Sequence, residues 1–215
     1  MKVGTDGVLL GAWADIAQCR HILDVGTGTG LVALMAAQRS EAHITAIDLD
    51  HDAVTQAAEN MAASPWGERM LVLEADVKTF EWEHPFDAIL CNPPFFENAL
   101  KSPDAARTMA RHTDTLSFDE LARSAARLLA PEGELSVVIP HDRAMDMTVS
   151  AACHGLFATR QTIVVPVEGS KPKRMLMAFT RKGKPHTTHT LYIESTQRNY
   201  TPEYTELVRD FYLKM

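Results

Sequence analysis

The sequence of 215 residues lacks long hydrophobic runs, although 46% of its residues are hydrophobic. Its longest apolar stretches, such as residues 31–37, are far shorter than the roughly 20 residues that a membrane-spanning helix needs. The opening residues lack the apolar core and small-residue cleavage site of a signal peptide. No low-complexity tract is present either, so the composition predicts a folded protein without a membrane span.

Cysteine is scarce and shows no pairing pattern. Cys19, Cys91 and Cys153 lie far apart and form no C-x-x-C pair, which argues against a disulfide framework and against a structural zinc site. The two closest histidines, His186 and His189, lie in a polar, threonine-rich stretch that is typical of a solvated loop. We therefore expect no metal site, and a protein of the reducing cytoplasm.

Positive charge is scarce in the first half of the chain. Residues 1–100 contain five Lys/Arg and fifteen Asp/Glu, whereas residues 101–215 contain sixteen and thirteen, within a net charge of −7. Between positions 160 and 184 a single acid, Glu168, accompanies seven basic residues: Arg160, Lys171, Lys173, Arg174, Arg181, Lys182 and Lys184. This asymmetry is typical of a basic docking face on an acidic body, and the alternative is a solvated hairpin.

Short apolar runs alternate with helical patterns along most of the chain. The runs predict strands over residues 21–25, 43–47, 70–74, 86–91 and 135–139. The patterns between them predict helices over residues 31–38, 52–63 and 118–129. Such alternation indicates a doubly wound, Rossmann-like α/β fold with a mostly parallel sheet and helices on both faces.

The end of the chain departs from this alternation. Two β-rich runs, residues 161–167 and 175–180, are separated by a polar turn without a helix, so they predict a C-terminal antiparallel hairpin and a sheet of seven strands. A final helix is predicted over residues 202–213. Because neither an internal repeat nor a linker is visible, we expect one domain over residues 1–215.

Local signals mark the ends of one helix. Ser117 and Glu120 have the spacing of a capping box at the start of residues 118–129. The turn-forming segment from Pro131 to Gly133 is expected to end the same helix.

A glycine-rich turn follows the first predicted strand. The segment from Asp24 to Gly30 reads DVGTGTG, with glycines at Gly26 and Gly28 as well. Ligands of open parallel sheets bind at the carboxyl ends of the strands, and glycines let the backbone approach them closely. The spacing G-x-G-x-G, with Leu31 next, differs from the G-x-G-x-x-G of dinucleotide sites. The turn therefore favours a nucleoside over a ligand held by its pyrophosphate.

Two further acids follow neighbouring strands. Asp48 ends the second predicted strand, where a carboxylate can accept hydrogen bonds from both ribose hydroxyls. Asp76 follows the third strand, where it can accept from an adenine amino group. Either acid alone is more often a helix cap or a turn residue. Three such signals pointing at one cleft together suggest the adenosyl part of a ligand.

The segment Asn92-Pro93-Pro94-Phe95 follows the fourth predicted strand and is the most specific feature of the chain. The Asn92 side-chain oxygen and the Pro93 carbonyl can both accept hydrogen bonds from one planar NH2 group. These bonds draw the nitrogen lone pair out of conjugation as a methyl group arrives, which stabilises the transition state. Phe95 offers a face on which a flipped base or an amide can stack. The alternative is a proline-rich turn without chemistry.

These consecutive motifs resemble those of class I, S-adenosylmethionine-dependent methyltransferases that act on exocyclic or amide nitrogens. The resemblance covers nearly the whole chain. The opening residues 1–13, MKVGTDGVLLGAW, resemble the signature of the bacterial tRNA1(Val) adenine N6-methyltransferases, which modify an adenosine in the anticodon loop. Residues 111–112, 116–121 and 171–174 fit that group too.

The resemblance implies a cofactor, a partner and a set of site residues. It implies S-adenosylmethionine as cofactor, tRNA as partner, no metal and a monomeric chain. It implies catalytic roles for Asn92, Pro93, Pro94 and Phe95, and RNA contacts from the seven basic residues between positions 160 and 184. The cofactor-binding residues that it implies are Lys2, Gly4, Thr5, Asp6, Asp24, Gly26, Gly28, Gly30, Asp48, Leu49, Asp76, Val77 and Asn92.

The chain departs from the family pattern in two places. Family members carry a stretch before the Met-Lys-Val-Gly-Thr-Asp segment, whereas Met1 begins it here. We therefore expect a lid over the cofactor, or an RNA contact, to be missing from this sequence. The usual Tyr-Phe after the prolines is replaced by Phe95-Phe96, and because either aromatic ring can stack, we expect the chemistry to survive.

The opening segment can also be interpreted locally. Thr5 or Asp6 can cap a helix over residues 8–16, whose first backbone N–H groups would then point outward. A carboxylate such as the methionine end of the cofactor would bind there. The alternative is a capped helix without a ligand.

Three other functions fit parts of the pattern. Asn-Pro-Pro-aromatic turns also serve enzymes that methylate a guanine N2 amine, as in rRNA, or a protein glutamine amide, because each presents a planar NH2 group. A cofactor-binding subunit without its own chemistry would carry a broken catalytic turn, and the turn is intact here. A nicotinamide dehydrogenase is disfavoured by Leu31 and by the lack of a Tyr-x-x-x-Lys pair. The sequence therefore favours an RNA adenine N6-methyltransferase.

Overall fold

The computed structural model describes residues 4–93, 116–183 and 185–213. Eight strands form one sheet: β1 (His21–Val25), β2 (His43–Asp48), β3 (Met70–Glu74), β4 (Phe86–Cys91), β5 (Leu129–Pro140), β6 (Phe157–Val167), β7 (Arg174–Thr180) and β8 (Thr187–Glu194). Their order is β3-β2-β1-β4-β5-β7-β6-β8. β1 to β5 pair in parallel, β7 is antiparallel to β5 and β6, and β8 is parallel to β6. The doubly wound fold with an antiparallel C-terminal hairpin is confirmed.

Helices cover both faces of the sheet. They are α1 (Thr5–Trp13), α2 (Leu31–Arg39), α3 (His51–Ala62), α4 (Phe118–Leu128), α5 (Ala144–Cys153) and α6 (Pro202–Val208). α1, α2, α3 and α6 bury apolar residues in one core cluster, and α4 and α5 bury theirs in a second cluster. The predicted capping box is confirmed, because Ser117 Oγ accepts from the N–H of Glu120 and Glu120 Oε2 accepts from the N–H of Ser117.

The parallel strands define two edges of the sheet. The edge where β1 to β5 end is called the carboxyl edge here, and the other is called the opposite edge. Arg174, the first residue of β7, pairs with Pro140 at the end of β5 and with Val164 near the end of β6. The turn formed by residues 168–173 therefore lies at the carboxyl edge, next to the expected ligand cleft.

The prediction of seven strands was wrong because β8 has little apolar signal. Its sequence is TTHTLYIE, and its first four residues are exposed at the side of the sheet. His189 lies in this strand instead of a loop, and His186 directly precedes it. An edge strand that buries few side chains shows neither the continuous apolar run nor the strict alternation by which strands are recognised.

Three predicted helix boundaries also differ. The helix predicted over residues 202–213 ends at Val208, and a 3-10 turn, Arg209–Phe211, follows it. α1 begins at Thr5 and ends at Trp13, whereas a helix over residues 8–16 was expected. The segment from Pro131 to Gly133 lies within β5 and does not end a helix. At Gly133 a Cβ would lie 2.8 Å from the Phe86 carbonyl oxygen, so this glycine is required where the pairing of β4 with β5 shifts register.

Two features are absent from the ranges that the structure describes. No helix in them is both long enough and apolar enough to cross a membrane. In the same ranges, no three His, Cys, Asp or Glu side chains are grouped so that they could hold a metal ion.

Candidate active site

The glycine loop, residues 24–30, joins β1 to α2 at the carboxyl edge. Gly26, Gly28 and Gly30 have φ angles of 68°, 56° and 83°, in the left-handed region that glycine adopts without strain. A Cβ at Gly30 would also lie 3.3 Å from the Met61 side chain of α3. The loop therefore needs glycine for its backbone shape and for its close approach to α3.

Asp48 is the last residue of β2, and its carboxylate organises the loops around it. Its Oδ2 accepts a hydrogen bond of 2.8 Å from the N–H of Gly28, and its Oδ1 accepts one of 3.0 Å from the N–H of Asp50. The alternative interpretation of Asp48 as a helix cap is not supported, because Asp50 is the residue that caps α3. A carboxylate can accept about four hydrogen bonds, so Asp48 retains capacity for a ribose diol.

Asp76 lies beside this carboxylate, just beyond β3. The N–H of Ala75 donates to the Asp48 carbonyl over 2.9 Å, which places the two acids next to each other. Asp76 Oδ1 accepts from the N–H of Lys78 at 2.9 Å, and its Oδ2 lies 3.4 Å from Lys78 Nζ. These are the contacts of a turn residue, so the role of Asp76 toward adenine stays a prediction.

Two apolar residues accompany these acids. Leu49, between Asp48 and Asp50, is 51% exposed, whereas the Val77 side chain is buried at 6%. An exposed leucine beside the predicted ribose-binding position offers an apolar surface for a nucleobase. Val77 contributes its side chain to the core, so only its backbone can face a ligand.

Asn92 follows β4 directly, and α1 packs against it. A Cβ at Gly7 would lie 3.9 Å from Asn92 Nδ2 and 3.3 Å from the Leu31 side chain, at the start of α2. Asn92 is half-buried and Pro93 is buried. The structure thus brings together the catalytic candidate Asn92, the helix after the glycine loop and the first turn of α1. The predicted Lys2, Pro94 and Phe95 lie outside the described residues.

The first turn of α1 is not capped as predicted. Gly4 occupies the N-cap position and there is no side-chain cap hydrogen bond, so the prediction that Thr5 or Asp6 caps the helix was wrong. Asp6 Oδ2 instead accepts a hydrogen bond of 2.7 Å from Arg174 Nε. Gly4 and Thr5 are exposed near Asn92, where their contact with a cofactor stays a prediction.

Comparison with known proteins agrees with this geometry. A profile described as "Methyltransferase small domain" matches residues 5–163. The chain belongs to this family. Over its whole length the methyltransferase is 51% identical to the tRNA1(Val) (adenine(37)-N6)-methyltransferase of Phocaeicola vulgatus, of which it covers 92%. Proteins of the same name from Bacteroides thetaiotaomicron and Tolumonas auensis are 46% and 42% identical over the whole chain, which covers 92% and 91% of them.

Solved structures share the fold of this methyltransferase. A predicted O-methyltransferase from Agrobacterium tumefaciens has a TM-score of 0.75 at 21% identity, over 95% of this chain and 96% of that one. The glycopeptide N-methyltransferase MtfA, complexed with S-adenosylmethionine, has a TM-score of 0.59 at 14% identity, over 85% and 90% of the two chains. At these identities the likeness concerns the fold alone, and it agrees with the Rossmann-like class.

The seven basic residues predicted to bind RNA do not form one cluster in the methyltransferase, so that part of the prediction was wrong. Arg160 lies towards the opposite edge, with its guanidinium 3.6 Å from the centre of the Trp13 ring and 3.1 Å from a Glu134 oxygen. Arg181 donates to backbone carbonyls at the end of α4 and the start of β5, and Lys182 forms an exposed ion pair there. These side chains contact the protein itself, far along the strands from the ligand cleft.

The other described basic residues lie at the carboxyl edge. Lys171 and Lys173 are exposed in the turn of residues 168–173, and Arg174 follows them at the start of β7. Lys184 lies outside the described residues. A cleft of about 270 Å³ is lined by this turn and by the end of β5, including Lys173, Arg174 and His141. Among the described members of the seven, the exposed cations at the carboxyl edge are therefore Lys171 and Lys173, and RNA contact by them stays a prediction.

Asp24 lies in β1 beneath the glycine loop of the methyltransferase and is 1% exposed. Its Oδ2 accepts hydrogen bonds of 2.6 Å from Thr27 Oγ1 and 3.1 Å from the N–H of Ala33. Burial raises the pKa of this carboxyl from 3.8 to about 7, while the bonds from Thr27 and Ala33 act in the opposite direction. The contacts give Asp24 a part in holding the loop to α2, and its direct contact with a ligand stays a prediction.

The raised pKa of Asp24 makes stability depend on pH. Between about pH 4 and pH 7 the folded protein binds this proton while the unfolded chain releases it, so wild type loses stability as pH rises through that range. Asp24→Asn has no proton to lose at this position. As the pH rises through that range, we therefore expect the free energy of unfolding of Asp24→Asn to increase relative to that of wild type by up to about 4 kcal/mol. Thermal unfolding of both proteins from about pH 4 to pH 8 measures this; a difference that is constant with pH would contradict it.

Sequence reasoning missed three residues that support the site. Thr27 binds Asp24, Gly7 allows α1 to approach Asn92, and Asn60 Nδ2 donates to the Thr29 carbonyl of the glycine loop over 2.8 Å. Gly7 carried a signal, because glycine inside an apolar helix is unfavourable unless close packing requires it. Asn60 carried none, because a polar residue on a helix is ordinary.

Proposed function

We propose that this chain transfers a methyl group from S-adenosylmethionine to the N6 amine of an adenosine in tRNA. The observation that carries the proposal is the placement of Asn92 at the end of β4, beside the start of α2. The names of the chain's relatives support it. Relatives at 40–51% identity over the whole chain are named tRNA1(Val) (adenine(37)-N6)-methyltransferase. These names support an adenosine in the anticodon loop of tRNA(Val) as the target.

The residues at the carboxyl edge fit an adenosyl cofactor. The Asp48 carboxylate has spare acceptor capacity at the end of β2, and the exposed Leu49 beside it can cover one face of a base. The glycine loop, held by Asp48 and Asp24, lets the backbone approach a ligand closely. S-adenosylmethionine, when bound, supplies a methyl group activated by a positively charged sulfur.

The proposed chemistry rests on two acceptors at the end of β4. Asn92 Oδ1 and the Pro93 carbonyl accept the two N–H bonds of the adenine amine, which raises the electron density at N6 and holds its lone pair toward the methyl group. Positive charge develops on N6 as its bond to carbon forms, so these acceptors stabilise the transition state more than the ground state. The amine releases its proton after the attack, when its pKa is low, so no general base is assigned.

We further propose that residues 1–215 act as one methyltransferase domain, as a monomer, in the cytoplasm. In support of one domain, both core clusters lie against the same sheet. In support of a reducing compartment, Cys19, Cys91 and Cys153 are free thiols.

Incubation with radiolabelled S-adenosylmethionine and unmodified tRNA tests the function. After digestion to nucleosides, we expect the label in N6-methyladenosine, with none when the target adenosine of tRNA(Val) is replaced by guanosine. Label in N2-methylguanosine or in protein would overturn the proposal and would indicate an acceptor with a different planar NH2 group.

We expect Lys171→Ala combined with Lys173→Ala to weaken tRNA binding in a salt-dependent way. Each phosphate contact to a single-stranded region contributes about −0.7 to the slope of log K against log salt concentration. The double variant is therefore expected to lose about 1.4 from the magnitude of the slope, with unchanged affinity for S-adenosylmethionine. Lys182→Ala, an exposed lysine paired with Glu132 at the opposite edge, is the control. A slope equal to that of wild type would show that the turn does not contact RNA.

A further inference from the structure

Arg174 and Asp6 join two parts of the site that are 168 positions apart in the sequence. Arg174 Nε and Asp6 Oδ2 are 2.7 Å apart, and their side chains are 23% and 28% exposed. Arg174 belongs to β7, which is hydrogen-bonded to a strand on each side. Asp6 belongs to the first turn of α1. The ion pair therefore ties the first turn of α1 to β7, which is fixed between two neighbouring strands.

Gly4 and Thr5, at the start of α1, are exposed. No side chain caps its first turn, and a Cβ placed at Gly4 would meet nothing within 4 Å. The negative charge of Asp6 is favourable at a helix N-terminus, and its ion pair ties that turn to β7. Loss of the pair would let the exposed start of α1 shift against the buried part of the helix, which begins at Gly7.

A shift of that turn would reach Asn92. Gly7, the residue after Asp6, faces Asn92, because a Cβ built on it would lie 3.9 Å from Asn92 Nδ2. A path of neighbouring residues therefore runs from Arg174 through Asp6 and Gly7 to Asn92. A displacement of about 1 Å at a reacting group can cost about 100-fold in rate.

We propose that Arg174 and Asp6 are positioning residues of the methyl transfer, which hold α1 against Asn92 and connect it to the turn of residues 168–173. This proposal rests on the proposed function, and it separates Arg174 from Lys171 and Lys173: the lysines face the RNA, whereas Arg174 acts through Asp6 on the catalytic turn. It likewise gives Asp6 a role that does not require contact with the cofactor.

Steady-state kinetics of Asp6→Asn, Arg174→Gln and the double variant test the pair. We expect each single variant to lower kcat about 10- to 100-fold. The KM for tRNA, the salt dependence of that KM and the Kd for S-adenosylmethionine are each expected to change less than twofold. The double variant is expected to be no worse than Arg174→Gln, because the contact between Asp6 and Arg174 is disrupted in both. Arg174→Lys keeps a cation for Asp6 and is expected to recover part of kcat.

A matched control separates this role from the loss of any ion pair. Arg209→Gln removes an exposed 2.7 Å pair with Glu206 at the far end of the chain and is expected to leave kcat unchanged. If Arg174→Gln raised the KM for tRNA and flattened its salt slope, Arg174 would be a phosphate ligand and the proposal would be wrong. If Asp6→Asn weakened cofactor binding and Arg174→Gln did not, Asp6 would be a cofactor ligand. That result would also overturn the proposal.

A second readout does not depend on activity. The side-chain amide resonance of Asn92 in an NMR spectrum is expected to move in Asp6→Asn and Arg174→Gln and to stay in place in Arg209→Gln. If wild type fails to methylate tRNA, the proposed function fails, whereas the resonance still decides whether the pair positions Asn92. An unmoved resonance in the two single variants would overturn the positioning role itself.

Discussion

Asn92→Ala is expected to bind S-adenosylmethionine normally and to lose about 100- to 1000-fold in methyl transfer, the scale of one lost transition-state hydrogen-bond partner. The residue lies at the end of β4, away from the Asp48 carboxylate at the end of β2, so the variant should leave the other predicted cofactor-binding residues in place. Single-turnover rates and calorimetry on the same preparation measure the two effects separately.

Asn92→Gln is the matched variant for this prediction. It keeps the amide but displaces it by one methylene group, and because positioning within about 1 Å matters at a reacting centre, we expect it to be impaired as well. Near-normal turnover of Asn92→Ala would show that the turn after β4 is structural only.

Asp48→Ala is expected to weaken cofactor affinity by about 10- to 150-fold, which corresponds to the roughly 1.5–3 kcal/mol of hydrogen bonds to a charged group. Turnover at saturating cofactor should change little, because the ribose does not react and the contact is lost equally in ground and transition states. Calorimetric titration with S-adenosylmethionine measures the affinity, and unchanged affinity would reject the assignment.

Two neighbouring variants make the Asp48 result specific. Asp48→Asn retains one acceptor oxygen for the N–H groups of Gly28 and Asp50, so we expect an intermediate affinity. Asp50→Ala removes the cap of α3 and should cost about 1 kcal/mol of stability without changing the affinity. Equal losses of affinity in Asp48→Ala and Asp50→Ala would indicate a general disturbance of this loop.

Elements with strong local signals could be predicted from the sequence. β1 and the glycine loop follow one another within ten residues, and their apolar run, carboxylate and glycines need no information from elsewhere in the chain. The capping box of Ser117 and Glu120 is local in the same way, and the structure confirms it. β8 could not be predicted, because a polar strand at the side of a sheet is defined by its partner β6 and not by its own composition.

The prediction that the basic residues between positions 160 and 184 share one face was wrong for a geometric reason. Closeness in sequence suggested one cluster, but β7 alone has seven residues, and at about 3.4 Å per residue its ends lie more than about 20 Å apart. Arg174 and Arg181 therefore lie at opposite ends of the strand. The pair of Asp6 with Arg174 could not be predicted either, because no pattern relates residues so distant along the chain.

The docking of α1 has a consequence for synthesis of the protein. Besides its early contacts with Arg39 of α2, α1 has partners that come late: Trp13 bonds to Thr162 and lies beneath Arg160, and Asp6 pairs with Arg174. At about 5–20 residues per second, a ribosome needs roughly 10–30 s after making α1 to reach these partners. A nascent chain thus contains the glycine loop, Asn92 and α2, on which α1 packs, long before α1 can complete its contacts. A chain that terminates before β6 and β7 leaves Trp13 and Asp6 without these later partners.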